Sequence, residues 1–201
     1  MGSCHPVHDV WILARAKLKD GRKYYGAYPA GFPERARIVL GADLHAPVLH
    51  VCGGMARHYL YPGGFGWNDR TLDLDPLTEP DYLQDARQPW PEYGIGDMPS
   101  TFKWKHVLID PPYSPEDATR YRVGKSVLPT PTELLRRAVE VTAPGARVGI
   151  ILYHWARPVP GLRQIGVYTV LTGCGNKARV FTVFERITDQ CSMWIDQEAR
   201  P

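Results

Sequence analysis

The stretch His106 to Tyr113 reads HVLIDPPY. An apolar run delivers a carboxylate, Asp110, and then stiffens at Pro111 and Pro112 before an aromatic ring, Tyr113. Two successive prolines fix φ and remove both backbone donors, so the Pro111 carbonyl can turn toward a ligand without a competing ladder bond. Two further apolar runs end in comparable residues. VLHVCGG (48–54) closes on Cys52, Gly53 and Gly54, and paired glycines let a ligand approach the backbone closely. RTLDLDP (70–76) closes on Asp73 and Asp75, and a strand-end carboxylate can hold two vicinal hydroxyls, as in dinucleotide sites. Alternation places these two acids on one face; Asp75, nearer the end of the run, takes precedence. An acceptor set, a glycine loop and a hydroxyl-binding acid are what a nucleotide-like ligand requires.

These residues need a scaffold that brings strand ends together. Pro33 to Gly41 predicts a helix, with proline in the first turn, Glu34 near its positive end and glycine as a stop. Pro131 to Thr142 predicts the clearest amphipathic helix, with Leu134, Leu135, Ala138, Val139 and Val141 on its apolar side and Pro144-Gly145 ending it. Leu77 to Leu83 suits a short helix, and Val10 to Lys19 a short helix or strand. The run 146–155 (ARVGIILYHW) is a buried strand, and the β-rich runs flanking GCGNK (173–177) form a hairpin. Apolar strands alternating with helices imply a mainly parallel α/β sheet covered on both faces. In such sheets ligands bind beyond the carboxyl ends of the strands.

The 201 residues suffice for one domain with a sizeable core. A charge of +3 and a pI near 8.7 are compatible with a nucleic-acid partner without requiring one. Basic residues gather only at 15–23 and 120–125. The four cysteines, Cys4, Cys52, Cys174 and Cys191, form no C-x-x-C pair and read as reduced thiols of a cytoplasmic protein. The longest apolar run, 148–155, is too short to span a bilayer, and no secretory leader is visible.

The DPPY tetrapeptide after an apolar strand resembles the catalytic motif of the amino-group DNA methyltransferases, which modify adenine N6 or cytosine N4 with S-adenosylmethionine. The context extends the likeness. YPAGFPERARIVL (28–40) is similar to the segment before their first cofactor strand, and VLHVCGG sits where their glycine loop would be. LDLDP is placed like their ribose-binding acid, and LQDAR (83–87) like their adenine-side acidic motif. The resemblance covers roughly 24–187. It implies a class I methyltransferase fold over 31–187, flanked by an N-terminal arm (1–30) and a tail (188–201). It also implies a catalytic set of Asp110, Pro111, Pro112 and Tyr113. A cofactor set of Tyr28, Pro29, Phe32, Cys52, Gly53, Gly54, Asp73 or Asp75, Asp85 and Ala86 follows from the same likeness, with S-adenosylmethionine as cofactor and no metal. In these enzymes the acid and a proline carbonyl accept the two amine N–H groups while the tyrosine stacks on the base.

Arg120, Arg122 and Lys125 are candidate phosphate contacts. No separate target-recognition segment accompanies the motifs, so sequence selection falls to a partner subunit, a second copy of the chain, the N-terminal arm or the 114–130 loop. Cys4, His5 and His8 have a spacing that could hold a metal but lack a fourth ligand. His154 and Trp155 either line the pocket or pack, with packing preferred; Trp11, Tyr24, Tyr25 and Tyr28 could form a nucleic-acid face, with core or cofactor-edge packing preferred for most. The expected activity is methylation of adenine N6 in DNA, or cytosine N4. Two alternatives stay open: the same chemistry on RNA, at adenine N6 or guanine N2, and a catalytically silent module that binds nucleic acid or a partner.

Overall fold

The computed structural model describes residues 6–14, 28–59, 64–93, 102–120, 128–172 and 178–188. Eight strands run in chain order: β1 (Val7–Ile12), β2 (Val48–Val51), β3 (Arg70–Asp73), β4 (Tyr82–Leu83), β5 (Trp104–Ile109), β6 (Thr142–Leu152), β7 (Leu162–Leu171) and β8 (Arg179–Arg186). The helices are α1 (Phe32–Leu40), α2 (Pro115–Arg120) and α3 (Pro131–Val141). One sheet holds every strand in the order β1-β7-β8-β6-β5-β2-β3-β4. Pairing is parallel from β6 through β4, and β8 runs antiparallel to both β6 and β7. This is the mainly parallel sheet with a closing antiparallel hairpin that the alternation of runs implies; the hairpin turn, 173–177, lies outside the described residues.

Each face of the sheet has its own apolar layer. Period-two alternation sends Val107, Ile109, Val148 and Ile150 to the side covered by α3, and Leu108 and Ile151 to the side covered by α1. Helix α3 starts with a complete capping box, in which Thr130 and Glu133 satisfy one another's backbone N–H groups. Its buried stripe is Leu134, Leu135, Ala138 and Val141. Helix α1 stops at Gly41, which adopts the left-handed conformation (φ 71°) and returns its N–H to the last turn. On the α1 side, Trp11, Phe32, Tyr168 and Phe181 form an aromatic cluster with ring centroids 4.6–6.2 Å apart. Phe181 lies so close to β6 that a Cβ on Gly149 would come within 2.5 Å of its ring.

One expectation about elements is narrowed, from helix or strand to strand, and two change. The arm contributes an edge strand: β1 pairs parallel with β7 and buries Trp11. No helix spans Leu77 to Leu83. A single 3-10 turn (Pro76–Thr78) is followed by Glu79 in the left-handed region, then by Pro80, and the chain leaves as β4. A residue before proline is driven out of the helical region, which ends the turn there. Pro144-Gly145 does not end α3 either. The helix stops at Val141, β6 begins at Thr142, and the Pro-Gly pair falls within an irregularity of the β5–β6 register. None of the described helices is long and apolar enough to cross a membrane.

Candidate active site

Strands β5, β2, β3 and β4 stand side by side and all point the same way. Their carboxyl ends therefore form one rim. Along it lie, in spatial order, Asp110, the Cys52-Gly53-Gly54 loop, Asp73 and Asp85. The chain leaves β2 toward β3 on one side while β5 lies on the other, so the crevice at the β2–β5 boundary is the topological switch point where α/β sheets bind ligands. The Asp110 N–H donates to the Val51 carbonyl (3.1 Å), which ties the two strand ends together at that crevice.

Asp110 is partly buried, and the Tyr113 hydroxyl donates to its Oδ1. Burial pushes its carboxyl up to about 6; Arg179 and the Tyr113 hydroxyl pull it down, while Asp73 and Asp117 push it further up. The Tyr113 ring packs against Tyr153 (centroids 4.4 Å) and has the Arg179 guanidinium 5.5 Å from its centroid. Outside it opens a cavity of about 210 Å³. Its walls come from the DPPY turn, from Leu128 to Pro131 before α3, and from Leu152, Tyr153 and His154 at the end of β6. Prolines and tyrosines on rigid strand ends suit it to a planar ring. His154 lines this cavity, and Trp155 is 55% exposed with its Nε1 donating to Gln164. Of the two roles the sequence leaves open, His154 takes the pocket-lining one, and neither residue takes the preferred role of packing into the core, because β6 ends at Leu152 and both lie beyond the sheet.

The glycine loop packs closely on the end of β2. Cys52 takes a positive φ of 53°, a costly conformation for a residue with a side chain. A Cβ on Gly53 would sit 2.9 Å from the Cβ of His50. The Gly54 N–H donates to Asp73 Oδ2 (2.8 Å), and Asp73 Oδ1 accepts from the Asp75 N–H (3.0 Å). Asp73 thus ends β3 against the loop. Asp75, the acid that sequence position favours, lies past the strand and caps the 3-10 turn by accepting from the Leu77 N–H. The two do not share a strand face, because β3 ends at Asp73. Asp85 follows β4 and is gripped by the Arg87 guanidinium, which holds its carboxyl below the usual range. Ala86 is buried beside it.

Tyr28, Pro29 and Phe32 come from the segment entering α1. Tyr28 and Phe32 are buried together, and the Tyr28 N–H donates to the Tyr59 hydroxyl (2.9 Å). The Tyr28 hydroxyl itself is buried and has no hydrogen-bond partner among the described residues. Burial pushes the hydroxyl far above the ordinary tyrosine range, with Asp110, Tyr59, Cys52 and Asp73 reinforcing it. The Cys52 thiol and the Asp73 carboxyl are likewise raised by burial. Titratable groups displaced by burial and by one another at a crevice mark a candidate functional site. Here they are Tyr28, Cys52, Asp73 and Asp110, brought together from four separate segments.

Behind the loop lies a buried ionic hub. Asp69 pairs with Arg37 of α1 (2.6 Å) and with His50 of β2 (3.0 Å), and also accepts from the N–H groups of Val48 and Gly66. Sequence reading misses this hub, although a histidine inside VLHV carries the signal: a buried polar group in a strand requires a partner. It also misses Arg179, whose place depends on the hairpin register. Arg120 ends α2, whereas Arg122 and Lys125 lie outside the described residues, as do Cys4, His5, Tyr24 and Tyr25. Among the described residues, no three His, Cys, Asp or Glu side chains are grouped to hold a metal.

No family model and no curated protein matches the sequence. Solved structures do match the fold. TrmN from Thermus thermophilus superposes with a TM-score of 0.50 at 16% identity over 81% of this chain, which spans 50% of that protein's length. The putative methyltransferase yhhF from Escherichia coli gives 0.48 at 11% identity, covering 88% of this chain and 98% of that one. The N-methyltransferase NodS from Bradyrhizobium japonicum gives 0.45 at 13% identity, covering 77% and 96%. The chain therefore has the Rossmann-like class I methyltransferase fold, with a mixed sheet of eight strands and few helices.

Proposed function

We propose that this chain is an S-adenosylmethionine-dependent methyltransferase that acts on an exocyclic amino group of a nucleobase, adenine N6 in DNA or else cytosine N4. The observation that carries the reading is the order of residues along the rim: an amine-accepting Asp-Pro-Pro-Tyr turn, then a bare glycine loop, then Asp73, then Asp85. With strands about 4.8 Å apart, β5 to β4 spans roughly 14 Å. An extended nucleoside with an amino-acid arm fits that crevice, with the reacting end at β5 and its adenine beyond β4.

The residues present suit that cofactor. The Tyr28 hydroxyl is a buried polar atom without a hydrogen-bond partner among the described residues, and it lies close enough to Asp110, Cys52 and Asp73 to feel their charges. Asp73 and Asp110 give the crevice negative charge, which favours a positively charged sulfur. Asp73 is the acid for the ribose hydroxyls, and Asp85 keeps acceptor capacity beyond the Arg87 grip for the adenine amino group. When bound, S-adenosylmethionine supplies the methyl group, its carbon–sulfur bond breaking as the new carbon–nitrogen bond forms.

The protein's task is to make a poor nucleophile react. An exocyclic amine has its lone pair delocalised into the ring. The Asp110 carboxylate and the Pro111 carbonyl accept its two N–H groups, draw the nitrogen toward tetrahedral geometry and aim it at the glycine loop. Asp110 accepts the proton that the amine sheds. Pro112 keeps the turn rigid, and Tyr113 and Tyr153 provide aromatic surface for the base in the cavity beside them. Stacking there helps offset the few kcal/mol required to flip a base out of its helix. Holding both partners in line supplies most of the acceleration. Arg120, Arg122 and Lys125 are assigned to backbone phosphates, and target selection to a partner subunit or a second copy of the chain.

The test is incubation with labelled S-adenosylmethionine and separate DNA and RNA pools, followed by nucleoside mass spectrometry. N6-methyladenine or N4-methylcytosine in DNA is expected, lost in Asp110→Ala while calorimetry still shows cofactor binding. Label found only in protein or small molecules refutes the proposal. Label in RNA alone transfers the chemistry to the other polymer, and absence of cofactor binding removes the enzyme reading.

A further inference from the structure

The hairpin contributes more than closure of the sheet. Because β8 runs antiparallel to β6, its first residue lies at the rim where the parallel strands end: Val180 pairs with Leu152, the last residue of β6. Arg179 therefore stands beside the DPPY turn although 66–69 residues separate them in sequence. Its guanidinium lies 5.5 Å from the centre of the Tyr113 ring, a cation–π distance, and the hydroxyl of that ring donates to Asp110. Tyr153 packs against the same ring. A cation, an aromatic ring and a carboxylate thus form a relay from β8 to β5.

We propose that Arg179 is a positioning residue for methyl transfer: it clamps Tyr113 and, with it, keeps the Asp110 carboxylate ionised and aimed at the substrate amine. This rests on the methyltransferase reading given above. The local charges explain why such a residue is needed. Burial disfavours the Asp110 charge, and Asp73 at the end of β3 and Asp117 of α2 disfavour it further. Tyr28 and Cys52, the other titratable neighbours, are kept uncharged by burial. Arg179 is the foremost influence in the opposite direction, ahead of the Tyr113 hydrogen bond. An uncharged Asp110 presents an O–H where the amine needs an acceptor, so the reaction depends on Arg179 without Arg179 touching the amine.

The experiment compares wild type, Arg179→Met, Arg179→Gln and Arg179→Lys in two readouts. The first is carboxyl carbon NMR of Asp110 in the ligand-free protein, assigned by its loss in Asp110→Asn. The expected midpoint rises by about one pH unit in the Met and Gln variants and returns most of the way in the Lys variant. The second is the pH dependence of kcat/KM for base methylation. Its acidic limb is expected to move up with the NMR midpoint, with cofactor affinity changed less than about threefold. An Asp110 midpoint unmoved in both neutral variants overturns the proposal. So does an activity loss of equal size at every pH with the limb in place. The NMR readout needs no turnover, so the role of Arg179 is decided even if the methyltransferase reading fails. If Arg179→Met does not fold, the Gln and Lys variants carry the same comparison.

Discussion

Asp110 serves two opposed requirements. The proposed methyl transfer needs it ionised, yet burial holds its carboxyl up at about 6. The folded state therefore binds its proton more tightly than the unfolded chain does. Between about pH 4 and 6 the folded protein holds more protons, so stability falls as pH rises through that window and is flat above it. Asp110→Asn is expected to be more stable than wild type at pH 8, by on the order of 2 kcal/mol, and to lose that advantage below about pH 4. Urea denaturation at both pH values checks the sign. The same substitution should lower methyl transfer by at least about a hundredfold, since an amide keeps an acceptor oxygen but cannot take up the proton that the amine sheds. Wild-type kcat/KM should rise with pH through an apparent midpoint near 6, read from a pH–rate profile, because activity follows the ionised form. At Gly53 the issue is space. A methyl group there meets the Cβ of His50 at 2.9 Å and the His50 carbonyl oxygen at 3.2 Å, so Gly53→Ala must displace the loop. Cofactor affinity should fall at least about tenfold in calorimetry, the loss of roughly one good polar contact.

At the scale of elements, the loop after β2 depends on what lies behind it. Asp69 bridges α1, β2 and the 64–69 loop from a fully enclosed position. Its four partners are two side chains and two backbone N–H groups. Removing the acid leaves Arg37 as an uncompensated buried charge, so Asp69→Ala should cost about 3–5 kcal/mol in denaturant unfolding. The packing of α1 on the sheet is a second such dependence. Phe181 and, from α1, Leu40 crowd Gly149 of β6, where an added methyl would sit 2.5 Å from the Phe181 ring and 3.5 Å from Leu40. Overpacking of this kind costs about 1–3 kcal/mol, which is the expected effect of Gly149→Ala on the unfolding free energy. Sequence periodicity locates both helices of the core to within a residue or two, because apolar spacing, a first-turn proline and, for α1, a glycine stop are local signals. It fails between residues 76 and 83, where a left-handed Glu79 and Pro80 override an apolar spacing that resembles a helix.

At the scale of the molecule, the strand order converts a list of motifs into a site. The sequence by itself determines which strands are buried, that they are mostly parallel, and that three of them end in Gly53-Gly54, in Asp73 or Asp75, and in Asp110-Pro111-Pro112-Tyr113. These properties follow from local patterns: apolar runs, paired prolines and glycine doublets act over a few residues. The tertiary structure alone decides which of those ends are neighbours. Asp73 and Asp75 differ by two positions in sequence, yet one faces the glycine loop and the other caps a turn, because β3 stops between them. Likewise β1 becomes an edge strand only because β7 offers it a parallel partner at the far side of the sheet. Arg179 and Asp69 reach the site through a hairpin register and a buried hub, contacts made across 69 and 19–32 residues of chain. Local propensity cannot encode such contacts, since they exist only once the sheet has closed and burial has made their charges matter.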